Sequence, residues 1–262
     1  MAAIRKQFQL DKLMLKNDTA SDFYLGSCQC NRNALPLLCM RLVLFLGCVS
    51  MLLSSMLLPE RIVDIAHWPI YMTQWGLIMI TVTYGLATAV SAVAYFKGPI
   101  DATFGLPWVV RLFWGSYCIA VPLAFFITAF YYLLVRPTIS EAFEVNEVLD
   151  VFTHGINSVV MFILLMTSNL SIYLVQFLYP MALMLVYMIF SIIYYYAGGT
   201  NQNGDRWIYP VLDWSEPSTA VGSVFLALVM IISIYILVFF MTLLRDLLTR
   251  RFRHTTLLIT DL

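Results

Sequence analysis

An aspartate and a histidine one helical turn apart, inside an otherwise apolar stretch, are where this chain offers chemistry. The stretch is Val148-Leu-Asp-Val-Phe-Thr-His-Gly-Ile-Asn-Ser158, and His154 is the one histidine within a long apolar run. On a helix, Asp150, His154, Asn157 and Ser158 share one face. An ionisable face inside a membrane is costly unless it is paired or meets a wet cavity, and it marks a functional-site hypothesis by default. The nucleophile such a face could serve is Thr73, in Tyr71-Met-Thr-Gln-Trp75 near the start of another apolar run. Neutral imidazole takes a hydroxyl proton around neutral pH. Asp150 would orient the ring and stabilise imidazolium. Asn157, Ser158 or loop N–H groups would hold a developing oxyanion in a polar pocket.

Each of these residues also has an architectural reading. Thr73 heads a stripe of Gly76, Thr81, Tyr84, Thr88 and Ser91 on one side of its helix. Small and hydroxyl residues form packing seams in membrane bundles. His154 bonded to Asp150 serves equally as a structural pair. His67, beside Trp68-Pro69, reads as an interface residue or as a spare base for Thr73, and His254 lies in a basic tail with no role assigned.

The elements that would position these groups follow from composition. The chain has 262 residues, 61% hydrophobic and 11% charged, with a mean hydropathy of +0.83. Soluble domains carry about 25% charged residues. There is too little polar surface here to cover a water-soluble globule, so the chain is expected to be an integral membrane protein. A formal net charge of zero implies no nucleic-acid partner. Six apolar runs, at 37–58, 71–96, 108–135, 148–168, 174–196 and 220–244, are each long enough to cross a hydrocarbon core. The expected fold class is therefore all-α, a bundle of six transmembrane helices. It lies between an N-terminal tail at 1–36, flexible or lying at the membrane surface, and a basic C-terminal tail at 245–262 that anchors to anionic lipid. No cleaved signal peptide is read at the start. Pro59, Pro69, Pro107, Pro137 and Pro217 fall in connections, while Pro122 and Pro180 fall inside runs three and five, where kinks are tolerated.

Lys and Arg set the orientation. With both termini cytosolic, the cytosolic side receives twelve of the 15 basic residues, namely Arg5, Lys6, Lys12, Lys16, Arg32, Arg41, Lys97, Arg111, Arg245, Arg250, Arg251 and Arg253. The outer side receives Arg61, Arg136 and Arg206. Arg41 and Arg111, just inside cytosolic helix ends, are expected to snorkel. The sequon Asn17-Asp-Thr19 would then stay unglycosylated. Thr73 and His154 both fall near outer helix ends, at comparable depth. The outer connections include one with Glu141, Glu144 and Glu147, and the loop 197–219, which interleaves turn residues with Trp207, Tyr209 and Trp214. That loop either folds over the outer end of the bundle or is a turn-rich linker with interface anchors.

The cysteines suggest no extracellular disulfide framework. Cys28-Gln-Cys30 is a lone pair, weak as a metal site. Lipidation of a juxtamembrane pair and unmodified thiols are its other readings. No metal and no cofactor are expected, and no internal repeat of the inverted-repeat transporters is found.

Three segments carry a resemblance. Phe152-Thr-His-Gly-Ile-Asn-Ser158, Gly198-Gly-Thr-Asn201 and Ile208-Tyr-Pro-Val-Leu-Asp-Trp214, in this order and with six-span hydropathy, resemble the rolling stone family, insect myoblast-fusion membrane proteins and their animal relatives. The resemblance covers the chain from run one onward and implies a role in cell–cell fusion or differentiation. It gives Gly198, Gly199, Asn201, Tyr209, Pro210, Asp213 and Trp214 the status of a loop motif, facing an unknown protein partner at the outer loops. More distantly, the chain is similar to the androgen-induced FAR-17a-like proteins, threonine hydrolases of fatty-acid esters of hydroxy fatty acids. There Tyr71-Met-Thr-Gln-Trp-Gly-Leu77 looks like the threonine segment, implying Thr73 as nucleophile and His154 as base. The Gly155-Ile-Asn157 continuation departs from that family's pattern. The expectations are thus a fusion or differentiation protein of the plasma membrane, with the endoplasmic reticulum as the other location, and, as an alternative, an intramembrane hydrolase taking a lipid ester from surrounding membrane lipids. A transporter ranks last, because no second polar span complements His154.

Overall fold

α3, spanning Trp108–Val135, is the helix around which the other five assemble. It packs against α2 (Met72–Lys97), α4 (Glu147–Thr167), α5 (Leu174–Tyr196) and α6 (Pro217–Leu258), and α1 (Leu35–Leu57) completes the bundle against α2. The most apolar stretch of α3 is 56% buried, against 17% for α5, so α3 is core and α5 mostly faces lipid. This computed structural model describes residues 7–17, 19–29, 33–57, 63–138 and 147–258, the side chains of 251–258 excepted. Cys30, Pro59, Glu141, Glu144, Arg5, Lys6, Arg32 and Arg61 lie outside the described residues, as do Asp18 of the sequon and the side chains of Arg251, Arg253 and His254. Among the described residues there is no strand, only one isolated bridge between Gly26 and Ser168. The expected all-α bundle of six membrane-length helices is what forms.

Two features of the helices differ from expectation. Pro180 lies inside the fifth span, as expected, but does not kink it midway, because residues Leu174–Phe177 of α5 form a 3-10 turn and its α-helical part begins at Leu178. Pro180 thus falls in a first turn, where a missing N–H is harmless. α6 continues well past 244, because no Gly or Pro follows to stop it.

The N-terminal segment is a folded part of the body over residues 7–17 and 19–29. Phe23 is fully buried and meets Phe113 and Trp114 of α3 edge-on, with ring centroids 6.4 and 5.6 Å away. Ser27 N–H donates to Thr167 O at 2.9 Å, and Gln176 Nε2 donates to Lys12 O at 2.9 Å. A flexible tail is therefore not what these residues form, because they carry aromatic surface that the base of the bundle buries. Arg41 does not snorkel either. It is fully buried and donates to Phe23 O (2.8 Å), Ala87 O (3.2 Å), Ser91 Oγ (2.8 Å) and Ser168 Oγ (3.1 Å). Arg245, read as part of a lipid-facing cluster, is likewise buried and donates to Leu165 O (2.9 Å) and Leu170 O (2.8 Å). Arg245 takes carbonyls at and beyond the last turn of α4 that have no helical N–H to meet them, whereas Arg41 ties the N-terminal segment to α2 and to the Ser168 hydroxyl after α4. Arg111 is exposed, as a snorkelling residue would be.

Candidate functional site

The end of the bundle opposite the N-terminal segment holds the polar groups. Two π-helical turns face each other there, Tyr131–Val135 at the end of α3 and Phe152–Ile156 near the start of α4. Such turns insert an extra residue and are frequent at functional sites. They bring Tyr131 flat against His154, with ring centroids 3.5 Å apart and planes 5° from parallel.

His154 Nδ1 lies 2.8 Å from Asp150 Oδ1. A carboxylate only accepts, so Nδ1 carries the proton and Nε2 is the basic nitrogen. The Asp150 side chain is fully buried and also meets Arg136 through its other oxygen, and the Tyr131 hydroxyl bonds to it as well. Three donors on one carboxylate satisfy a charge that would otherwise be prohibitive at this depth.

One helical turn further along, Asn157 and Ser158 meet Thr128 of α3. The Thr128 hydroxyl donates to His154 O (2.5 Å) and lies 3.0 Å from Asn157 Oδ1 and 2.5 Å from Ser158 Oγ. Ser158 Oγ also donates to Ala124 O at 2.9 Å. Asp150, His154, Asn157 and Ser158 are all buried, on the face of α4 that the spacing assigns to them. The two last-named residues are engaged in joining α4 to α3.

Thr73 is buried at the start of α2 and lines a different space, a cavity between α3, α5 and α6. Its neighbour is Tyr209, whose hydroxyl accepts the Met72 N–H at 2.9 Å and is also hydrogen-bonded by Thr73. Among the described residues no hydrogen bond joins Thr73 to His154, and His154 does not line that cavity. Tyr131 is common to both, lining the cavity and stacking on the imidazole. The rest of the stripe on α2 is a packing seam. Gly76 abuts Ile127, Tyr84 donates to Val160 O, and Ser91 receives Arg41. His67 lies at 3.9 Å from Asp64 in the first connection, away from these groups.

The loop 197–216 folds over this end as a cap, which decides between the two readings of it. Gly198 has φ of 81°, a left-handed conformation open to glycine, and at Gly199 a Cβ would fall 2.5 Å from the Tyr194 ring. Asn201 is buried and organises the next turn, its Oδ1 accepting from Asn203 N and Asp205 N at 2.9 and 3.0 Å. Pro210 opens a 3-10 turn, and Asp213 Oδ1 accepts from Ser215 N at 2.8 Å. Trp214 Nε1 donates to Ser191 Oγ on α5 at 3.2 Å, and Gln202 Oε1 accepts Asp64 N–H at 3.0 Å. Tyr209 fastens the cap to α2 and packs edge-on against Tyr71. Burial pushes its phenol up to about 12, so it remains a neutral donor at physiological pH. At the opposite end of the bundle, Cys28 is exposed and unpaired by any disulfide.

Thr128, Tyr131 and Arg136 are the site residues that the sequence reading missed. A signal was available: a short connection joins the end of run three to the head of run four, and consecutive elements usually pack as neighbours.

Comparison with known proteins supplies the family. The family profile described as "Protein rolling stone" matches residues 5–257, including the N-terminal segment that the motif resemblance left out. Protein rolling stone of Drosophila melanogaster is 25% identical over 195 residues, covering 70% of this chain and 69% of that protein. No solved structure matches this chain. With a match that runs almost from end to end on a six-helix membrane body, the chain belongs to the rolling stone family.

Proposed function

We propose that this protein acts in cell–cell fusion or differentiation, working from the plasma membrane with both termini in the cytosol and the cap outside. The observation that carries this reading is the cap itself. Residues 197–216 form an ordered surface, stapled to α2 by Tyr209 and to α5 by Trp214, on the side away from the basic terminal segments. A rigid surface of this kind suits a protein partner on an apposed membrane, because little ordering entropy is lost on binding. The test is a fusion assay with cells expressing the wild type, Asn201→Ala or Trp214→Ala, with surface delivery measured alongside. A several-fold loss of fusion at equal surface level is expected. Undiminished fusion in both variants sinks the reading.

One observation favours a second reading, an intramembrane lipid-ester hydrolase. The Asp150–His154 pair has the arrangement of a base and its orienting carboxylate. Thr73 would be its nucleophile, which requires Tyr131 to swing aside. Thr73→Ala and His154→Ala are each expected to abolish turnover of a fatty-acid ester of a hydroxy fatty acid while melting as the wild type does. Turnover in both variants eliminates this reading. Under both readings Cys28 and Cys30 are candidate lipidation sites at the cytosolic face.

A further inference from the structure

The cavity that Thr73 lines has features of its own. It measures about 440 Å³, within the roughly 300–1,000 Å³ of small-molecule sites. Its walls are apolar side chains of α3, α5 and α6, among them Phe126, Phe130, Met181 and Ala227, and no Lys, Arg, His, Asp or Glu lines it. Four of its lining residues are methionines, which adapt to irregular apolar shapes.

The cavity has a closed end and an open side. The cap closes one end with Tyr209 and Leu212. Along α5, Leu178, Ala182 and Leu185 line the cavity and are exposed at the same time, which puts its mouth on the lipid-facing flank of that helix. An occupant would enter sideways from the bilayer. The polar groups gather at the capped end. The Tyr187 proton is committed to Ile70 O at 2.8 Å. Tyr209 accepts the Met72 N–H, and its hydroxyl also meets those of Tyr187 and Thr73, so the capped end holds a cluster of hydroxyls that can turn a donor or an acceptor toward an occupant.

We propose that this cavity binds a neutral lipid carrying a single hydroxyl or carbonyl oxygen, its apolar body between α3, α5 and α6 and its oxygen against Thr73 and Tyr209. A phosphate or carboxylate would be buried without a counter-charge, so charged lipids are excluded. The site binds its lipid whether or not Thr73 is a nucleophile and whether or not the cap has a partner, so it stands independently of both functional readings.

The test uses the full-length protein in lipid nanodiscs and a diazirine-bearing hexadecanol as photolabel, with cross-linked peptides mapped by mass spectrometry. Labelling of α5 and α6 segments facing the cavity is expected, and excess plain hexadecanol (hydroxyl source) or methyl palmitate (carbonyl source) should compete it away. Hexadecyl phosphate should not. Ala227→Trp, which fills the cavity, should abolish this labelling, and Ser223→Phe provides a second filler if the first variant fails to fold. Thr73→Val should raise the hexadecanol concentration for half-competition by up to about tenfold, the equivalent of one hydrogen bond of ~1.4 kcal/mol. Equal competition by the phosphate, or labelling indifferent to a folded cavity-filling variant, overturns the proposal, because the label would then report only lipid around the bundle. Neither readout needs fusion or turnover, so failure here is distinguishable from failure of either functional reading.

Discussion

Asp150 carries the polar end of the bundle. Its buried carboxylate is shared by His154, Tyr131 and Arg136, and removing it strands a histidine and an arginine together. Hydrogen bonds to a charged group contribute about 1.5–3 kcal/mol, so Asp150→Ala is expected to destabilise the protein by about 2–3 kcal/mol. Asp150→Asn, which keeps the shape and one acceptor, should cost less. Denaturation in mild detergent measures both, and an Ala variant as stable as the wild type would contradict this account of the cluster. A second residue-scale prediction concerns Gly76. A Cβ there would fall 2.2 Å from Ile127 Cδ1, the tip of a side chain. Gly76→Ala is therefore expected to cost no more than about 1 kcal/mol, because the Ile127 tip can turn toward the cavity it lines and alanine favours the helix. Ile127→Val in that background should restore most of it, because the offending methyl is gone. A double-mutant cycle reads the coupling directly, and additive effects would disprove the close contact.

At the scale of elements, the two π turns decide which side chains meet. The turn at Phe152–Ile156 adds one residue between Asp150 and Asn157, and both nevertheless face α3. Deleting Gly155 should convert the turn to α-helix and leave Asp150 and Asn157 in their present register, because the extra residue is what the π turn absorbs. What is lost is the wider turn that lays the imidazole flat on Tyr131, and a clear drop in melting temperature is expected. A deletion variant that melts like the wild type would show the π turn to be incidental. The N-terminal segment makes the matching point at the base. Phe23 is fully buried between α3 side chains, so Phe23→Ala should cost about 3–5 kcal/mol, far more than a residue in a loose tail would. Limited proteolysis checks this, since the variant should be cut near its N-terminus at protease levels that leave the wild type whole.

For the whole molecule, the proposed orientation, base in the cytosol and cap outside, rests on the sequence division of twelve basic residues against three. Cys28 at the base is exposed, and Asn203 in the cap is exposed as well. A membrane-impermeant maleimide should label Asn203→Cys in intact cells and Cys28 only after permeabilisation. The reverse pattern would invert the topology and with it the proposal that the cap meets a partner outside.

Hydropathy alone was enough for the six helices, because a membrane imposes a length and an apolar composition that can be read residue by residue. The polar face of α4 was legible for the same reason, since Asp150, His154, Asn157 and Ser158 stand out against an apolar background at helical spacing. The family, too, was carried by local motifs. Contacts between distant parts of the chain were not legible. Thr128 and Tyr131 look like ordinary members of an apolar run until α3 and α4 are packed together. Arg41 looks like a snorkelling cation and Arg245 like a lipid anchor until the N-terminal segment and the end of α4 close over them. Thr73 and His154 read from the sequence as lying at comparable depth, yet packing gives one to the cavity and the other to Asp150. Depth along the membrane normal is a property of each helix taken singly, whereas the partner of a side chain is set by how helices rotate and pack, and only the tertiary structure specifies that.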